Sequence, residues 1–142
     1  MIAYADTGFL ASLYLSDVNS PAATALIRSS PVFVLSPLIE AEFANAIQLA
    51  VFRKQVTPTE SRSIHDAFSH HQRSGLFRPT PFVAEMWEKA CEISRHTAAF
   101  GTRTLDVLHV ASALLLKPDV FFTFDRRQAK LARAVRLKVA PG

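Results

Sequence analysis

A chain of 142 residues, 49% hydrophobic and 20% charged, has the size and composition of one domain, leaves little room for a second and excludes wholesale disorder. Sixteen Lys and Arg against twelve Asp and Glu give a net charge of +4 and a pI near 9.6, a balance that favours a polyanionic partner. A lone Cys91 excludes an intrachain disulfide and a cysteine zinc cluster.

No apolar run approaches the roughly 18 residues that span a bilayer. Asp6 falls where the apolar stretch of a signal peptide would begin, so the expected location is the reduced cytoplasm. There is no internal repeat or linker-like shift in composition, and the expectation is a single domain over 1–142.

In chain order, residues 2–5 form a short apolar strand that reaches Asp6, followed by a helix carrying Phe9, Leu10 and Leu13. Residues 19–28 read as a helix, with Ser20 as its cap and Pro21 at the favoured first position. Residues 32–35 are a second buried strand, and Ser36-Pro37 repeats the cap-then-proline pattern before a long helix towards Arg53. Thr57-Pro58 opens another helix, to about Gln72. Residues 76–82 suggest a short strand in which Pro79 and Pro81 require either an edge position or a place at the strand's ends.

Residues 83–96 are helical in pattern and Gly101 breaks the chain. Residues 104–116 are strongly helical and end before Pro118. A β-branched and aromatic strand over 120–124, a helix over 126–135 and a last strand over 137–139 complete the chain. Strands separated by helices require crossover connections, hence a mainly parallel sheet covered on both faces. Ligands of such sheets sit beyond the carboxyl ends of the strands, where Asp6 and Asp125 stand.

Four acids carry the chemistry, and each has an ordinary explanation to weigh. Asp6 has the position of a helix N-cap. Asp125 starts the spacing of a capping box, with Gln128 able to reach back. Glu42 lies on the apolar stripe of Leu38, Ile39, Ala46 and Leu49, while Glu40 points the other way. A carboxylate there needs a partner, either an arginine or a cation. Asp106 shares a helix face with Val110 and Ala113, although an acid in a first turn also complements the helix dipole. Gathered together, such acids repel by roughly 4 kcal/mol per pair at about 4 Å and an effective dielectric near 20. One or two divalent cations remove that repulsion, and clustered hard oxygens suit Mg²⁺ or Mn²⁺ rather than zinc.

These residues resemble the PIN domain family. Tyr4-Ala5-Asp6-Thr7-Gly8-Phe9-Leu10 is similar to its opening motif, and Leu35-Ser36-Pro37-Leu38-Ile39-Glu40-Ala41-Glu42 to its second. Arg103-Thr104-Leu105-Asp106-Val107-Leu108-His109-Val110-Ala111 is similar to the third, and Phe122-Thr123-Phe124-Asp125-Arg126-Arg127 to the fourth. The size and layout look most like VapC toxins, the ribonuclease halves of toxin–antitoxin pairs. The resemblance implies an α/β/α sandwich on a mainly parallel, five-stranded sheet, and Mg²⁺- or Mn²⁺-dependent endoribonuclease activity. It also implies Asp6, Glu42, Asp106 and Asp125 as catalytic metal ligands, Thr123 as the residue that orders them, a homodimer, and a small antitoxin that covers the acids. The hydrolysis expected is by metal-activated water on single-stranded RNA, leaving a 5′-phosphate and a 3′-hydroxyl.

Arg103, Arg126 and Arg127 flank the third and fourth acids and read either as solvated charge or as phosphate contacts. The same choice applies to the acid-free basic run of Lys130, Arg133, Arg136 and Lys138. Adjacent His70 and His71 diverge by about 100° on a helix and do not share a metal easily. His109, one turn on from Asp106, reads first as a packed helix residue and second as a residue that touches the acid pocket.

No glycine spacing fits a phosphate-cradling loop, and no GxSxG nucleophile motif is present. The rival readings are a non-catalytic PIN-like module that binds RNA or protein, and a receiver-type signalling domain. The second is disfavoured because Asp6 has no acidic neighbour.

Overall fold

The computed structural model describes residues 1–142. Its strands β1 (Ile2–Ala5), β2 (Val32–Leu35), β3 (Phe77–Pro79), β4 (Val120–Phe122) and β5 (Val139–Ala140) form one sheet in the order β3-β2-β1-β4-β5. Every pairing is parallel. The helices between them are α1 (Thr7–Tyr14), α2 (Ser20–Leu26), α3 (Pro37–Phe52), α4 (Pro58–Arg73), α5 (Glu85–Ile93), α6 (Thr97–Phe100), α7 (Thr104–Leu116) and α8 (Arg126–Ala134). They pack as two groups, α1–α4 and α5–α8. The expected parallel α/β architecture with five strands is the one observed, including the edge position of the proline-bearing strand β3.

Burial explains the order of the strands. Ala3, Tyr4 and Ala5 of β1 are almost wholly enclosed, as are Val120, Phe121 and Phe122 of β4, so the middle of the sheet is apolar on both faces. Side chains alternate between faces along β4: Phe121 stacks on Tyr4, whereas Phe122 stacks on Phe9 of α1. On α3 the buried positions are Ile39, Phe43, Ile47 and Ala50, a stripe of helical spacing, and Phe43 stacks on Phe68 of α4.

Several local expectations differ from what forms. The N-cap of α2 is Asn19; Ser20 lies inside the helix and its hydroxyl donates to the Leu15 carbonyl. Residues 94–96 tighten into a 3₁₀ turn between α5 and α6, and Gly101 ends α6 with a positive φ of 65°. Leu49 is exposed, because the buried stripe of α3 is centred on Phe43 and Ile47, and Glu42 stands at its margin.

The chain first builds outwards from β1 to β2 and β3, then crosses back to place β4 and β5 on the other side of β1. Strand order therefore reverses between β1 and β4, the position where open parallel sheets form a crevice at their carboxyl ends. Asp6 directly follows β1, and Asp125 lies three residues beyond the end of β4. Asp119 sits at the opposite end of β4, where its carboxylate accepts from the Ile2 N–H at 2.7 Å. No helix is long and apolar enough to cross a membrane.

Candidate active site

Asp6 is only 6% exposed. Its Oδ1 accepts from the Phe9 N–H at 2.7 Å, capping α1, and its Oδ2 accepts from the Thr123 hydroxyl. The same Thr123 oxygen accepts from the Asp125 N–H at 3.0 Å, so one hydroxyl ties the ends of the two neighbouring strands together. Burial pushes the Asp6 carboxyl up from 3.8 to about 6; Thr123, Phe9 and His109 oppose that rise, and the charge of Asp125 adds to it.

Asp125 caps α8 by accepting from the Gln128 N–H at 2.8 Å. The reciprocal half of the expected capping box does not form. The buried Gln128 side chain turns away to donate from Nε2 to Asp106 Oδ1 at 3.3 Å, while its own Oε1 is enclosed without a partner. Asp106, its side chain 16% exposed, also accepts the Arg103 N–H at 3.2 Å and lies 3.8 Å from the Arg103 guanidinium. The first-turn reading of this acid is thus satisfied together with its link to Gln128.

Glu42, its side chain 23% exposed, reaches from α3 to the other helix group. Its Oε1 accepts from the Thr7 hydroxyl at 3.2 Å and bonds His109 Nε2 on α7. His109 Nδ1 lies 2.8 Å from the hydroxyl of Tyr4, which is fully buried. Burial drives the Tyr4 phenol far above its ordinary range, Ser112 pulls it back, and the charges of Asp6 and Glu42 push it further. Glu40 is exposed, as its helical phase predicts.

Three of the acids are joined by hydrogen bonds, Asp6 with Asp125 through Thr123 and Asp125 with Asp106 through Gln128, whereas Glu42 is held separately by His109 and by Thr7, the residue that follows Asp6. As the side chains lie, no three carboxylate, imidazole or thiol groups stand within joint reach of one ion. The chemistry of the set nonetheless fits a hard divalent cation. All four donors are carboxylates, Glu42 Oε2 and Asp125 Oδ2 receive no hydrogen bond from the protein, and Asp6 holds charge poorly where it is buried.

The wider clefts lie elsewhere. One of about 600 Å³ is bordered by Asp17, Gln55 and Glu60, and one of about 410 Å³ by Leu13, Ile27 and Leu76.

Of the flanking arginines, Arg103 is 81% exposed along its side chain, Arg126 is exposed, and Arg127 donates to the Gly101 carbonyl at 3.4 Å. Sequence reasoning missed Thr7 and Tyr4 as partners of the acids and gave contact of His109 with the pocket only as its lesser reading. Two signals pointed to them: His109 stands three residues after Asp106 on one helix face, and a tyrosine hydroxyl in an apolar strand needs a buried partner.

The five-stranded parallel α/β sheet, with Asp6 and Asp125 beyond the carboxyl ends of its neighbouring strands β1 and β4, sets the class of this protein. The PIN domain family model matches residues 3–134, and the chain belongs to that family. No curated protein sequence matches it significantly.

Among solved structures it is similar to VapBC2 of Rickettsia felis bound to a DNA fragment from its promoter, with TM-score 0.66 and 15% identity over 98% of this chain and 97% of that one. It is similar to FitAcB of Neisseria gonorrhoeae with TM-score 0.69 and 19% identity over 98% and 96%. VapC20 of Mycobacterium tuberculosis, described as a sarcin–ricin loop cleaving toxin, aligns with TM-score 0.68 and 19% identity over 95% of each chain. At these identities the likeness is one of fold.

Proposed function

We propose that this chain is a divalent-metal-dependent endoribonuclease that cuts single-stranded RNA, and that it is the toxin half of a toxin–antitoxin pair. The observation that carries the reading is the hydrogen-bonded linkage of Asp6, Asp125 and Asp106 beyond the carboxyl ends of β1 and β4, with Glu42 held by His109 and by Thr7 next to Asp6. These four acids would hold Mg²⁺ or Mn²⁺, which would supply positive charge for the phosphodiester and help to activate water. The residues of the chain do the remaining work. Thr123 holds Asp6 and the Asp125 backbone in register, Gln128 holds Asp106, and Thr7 and His109 hold Glu42. The exposed Arg103 and Arg126 suit contacts to the RNA backbone, as does Arg127 once released from Gly101, and the net charge of +4 draws that backbone in.

The products of such hydrolysis are a 5′-phosphate and a 3′-hydroxyl. In this reading residues 1–142 act as one catalytic domain in the cytoplasm, as a homodimer, restrained by a small antitoxin that covers the acids. Membership of the PIN family supports the nuclease activity, and likeness to the Rickettsia and Neisseria proteins supports the pairing.

One observation favours a rival, a PIN-like module that binds RNA or protein without cutting: Asp6, Asp106 and Asp125 all accept backbone N–H groups at helix starts. Asp125→Asn separates the two, because Asn caps a helix as well as Asp does but lacks the charge. Purified protein, D6N and D125N are incubated with single-stranded RNA and Mg²⁺ or Mn²⁺, with and without excess chelator. Cleavage by the unaltered protein alone, abolished by chelator, is the expected result. The melting temperature of the unaltered protein should also rise with Mg²⁺ while those of the variants do not. Equal cleavage by D125N, or cleavage that survives chelation, sinks the metal mechanism. Undisturbed growth of cells expressing the chain without a partner removes the toxin assignment.

A further inference from the structure

We infer that His109 is a positioning residue of this centre: braced by the Tyr4 hydroxyl, its imidazole fixes the Glu42 carboxylate for a divalent cation. The inference rests on the reading of the acids as metal ligands given above. Its foundation is a chain of three side chains from three elements, the buried Tyr4 of β1 and His109 of α7 and the half-buried Glu42 of α3, joined through both imidazole nitrogens.

The direction of that chain follows from its chemistry. Tyr4 is fully buried with His109 Nδ1 as the hydrogen-bond partner of its hydroxyl, and a neutral phenol in that position donates its O–H to the ring nitrogen. An imidazole that accepts at Nδ1 carries its hydrogen on Nε2, which therefore donates to Glu42 Oε1. The tautomer is set from the strand side, and its output is a donor aimed at one carboxylate oxygen.

The support behind the ring is rigid. Tyr4 stacks on Phe121 at a centroid distance of 5.3 Å and meets the His109 ring edge-on at 5.8 Å. Glu42 by contrast is a half-buried side chain with three torsions to fix, on a helix of the other group. Thr7 and His109 both donate to Oε1 and leave Oε2 without a protein donor. Carboxylate ligands oriented in this way by hydrogen-bonded neighbours hold metals more tightly than free ones. A histidine serving only as core filling needs no acid partner at its far nitrogen.

The test compares the unaltered protein with His109→Leu, His109→Gln and Tyr4→Phe. Mn²⁺ binding is measured by titration calorimetry, kcat and KM on single-stranded RNA, and folding by thermal melting. H109L fills the space without a donor, and Mn²⁺ binding should weaken by about 10–100-fold with KM for RNA unchanged. H109Q carries an amide N–H in place of Nε2–H and should recover most of the affinity. Y4F should lose up to about tenfold.

H109L that binds Mn²⁺ as the unaltered protein does, or H109Q as weak as H109L, overturns the inference. If H109L does not fold, Y4F decides, and an unchanged isotherm there overturns it. Absence of Mn²⁺ binding by the unaltered protein removes the metal reading and this inference together, whereas normal binding by every variant removes this inference alone.

Discussion

Tyr4 and Tyr14 each bring a hydroxyl to a histidine Nδ1, at 2.8 Å from His109 and 2.7 Å from His71, yet only the first pair continues to a carboxylate. Tyr14 and His71 lie among Phe43 and Phe68, where α1, α3 and α4 pack, and His71 Nε2 makes no further hydrogen bond. Burial alone pushes the Tyr14 phenol up to about 12, with no neighbouring charge contributing, whereas Asp6 and Glu42 both act on Tyr4. The same two residue types therefore serve packing in one region and, by the proposal above, support the acid centre in the other. What separates them is the acid at the end of the chain.

The comparison is sharpened first by damaging the packing region. Phe43 is 1% exposed and stacks on Phe68, so Phe43→Ala is expected to cost about 3–5 kcal/mol. The urea midpoint should fall accordingly, and cleavage per folded molecule should be retained. The converse change is Glu42→Gln, which keeps the shape of the side chain and removes its charge. Loss of a ligand's hydrogen-bonded neighbour costs about 10–100-fold, so loss of the charged ligand itself should lower RNA cleavage by more than about a hundredfold, with the melting temperature held or raised. His71→Leu, the counterpart of H109L, should leave cleavage unchanged. A large loss of cleavage in H71L would break the distinction between the two pairs.

The two regions also differed in how legible they were. Strand and helix positions followed from apolar runs and from Ser36-Pro37, Thr57-Pro58 and Pro118, because these signals act within a few residues. The five-stranded parallel sheet followed from their alternation, while the 3₁₀ turn at 94–96 left no periodic trace. The order of the four acids was readable for the same local reason.

Their partners were not. Glu42 and His109 are 67 residues apart, Tyr4 and His109 are 105, and Asp6 and Thr123 are 117. Helical phase states which way a side chain faces, as it did for Glu42 and Glu40, but not which distant group it meets. Gln128 shows the limit: its spacing from Asp125 suggested a bond back to that residue's backbone, and the buried side chain went to Asp106 instead.

The polar region should be costly to stability in a way the aromatic region is not, and Asp6→Asn measures it. The Asn Oδ1 can still accept from Phe9, and its Nδ2 can donate to Thr123, whose hydroxyl has two acceptor positions. Loss of the charge is the largest change, set against the loss of Asp6 as the acceptor for the Thr123 O–H. A carboxyl raised from 3.8 to about 6 by burial disfavours the folded state at neutral pH by about 3 kcal/mol. Between those two values the folded chain keeps a proton that the unfolded chain has released. The Asp6 contribution to stability is thus greatest below about pH 4, declines as pH rises to about 6, and is flat above. In chelator at pH 7, D6N should unfold at higher urea than the unaltered protein, and the difference should vanish near pH 4. A D6N variant less stable at pH 7 would mean that the charge is compensated within the protein, leaving a cation nothing to correct.

The smallest expected effect isolates a cap that has no other duty. Thr57 starts α4 with its hydroxyl accepting the Glu60 N–H at 3.1 Å, while Glu60 accepts the Thr57 N–H at 3.4 Å. Both residues are exposed and belong to the start of α4, the helix that carries His71. Thr57→Ala should cost about 1 kcal/mol, the ordinary worth of such a cap, with cleavage untouched. D125N is the mirror case, a cap preserved while cleavage is lost. If T57A lowered cleavage as much as D125N, helix capping alone would account for both, and the acids beyond β1 and β4 would need no metal to explain them.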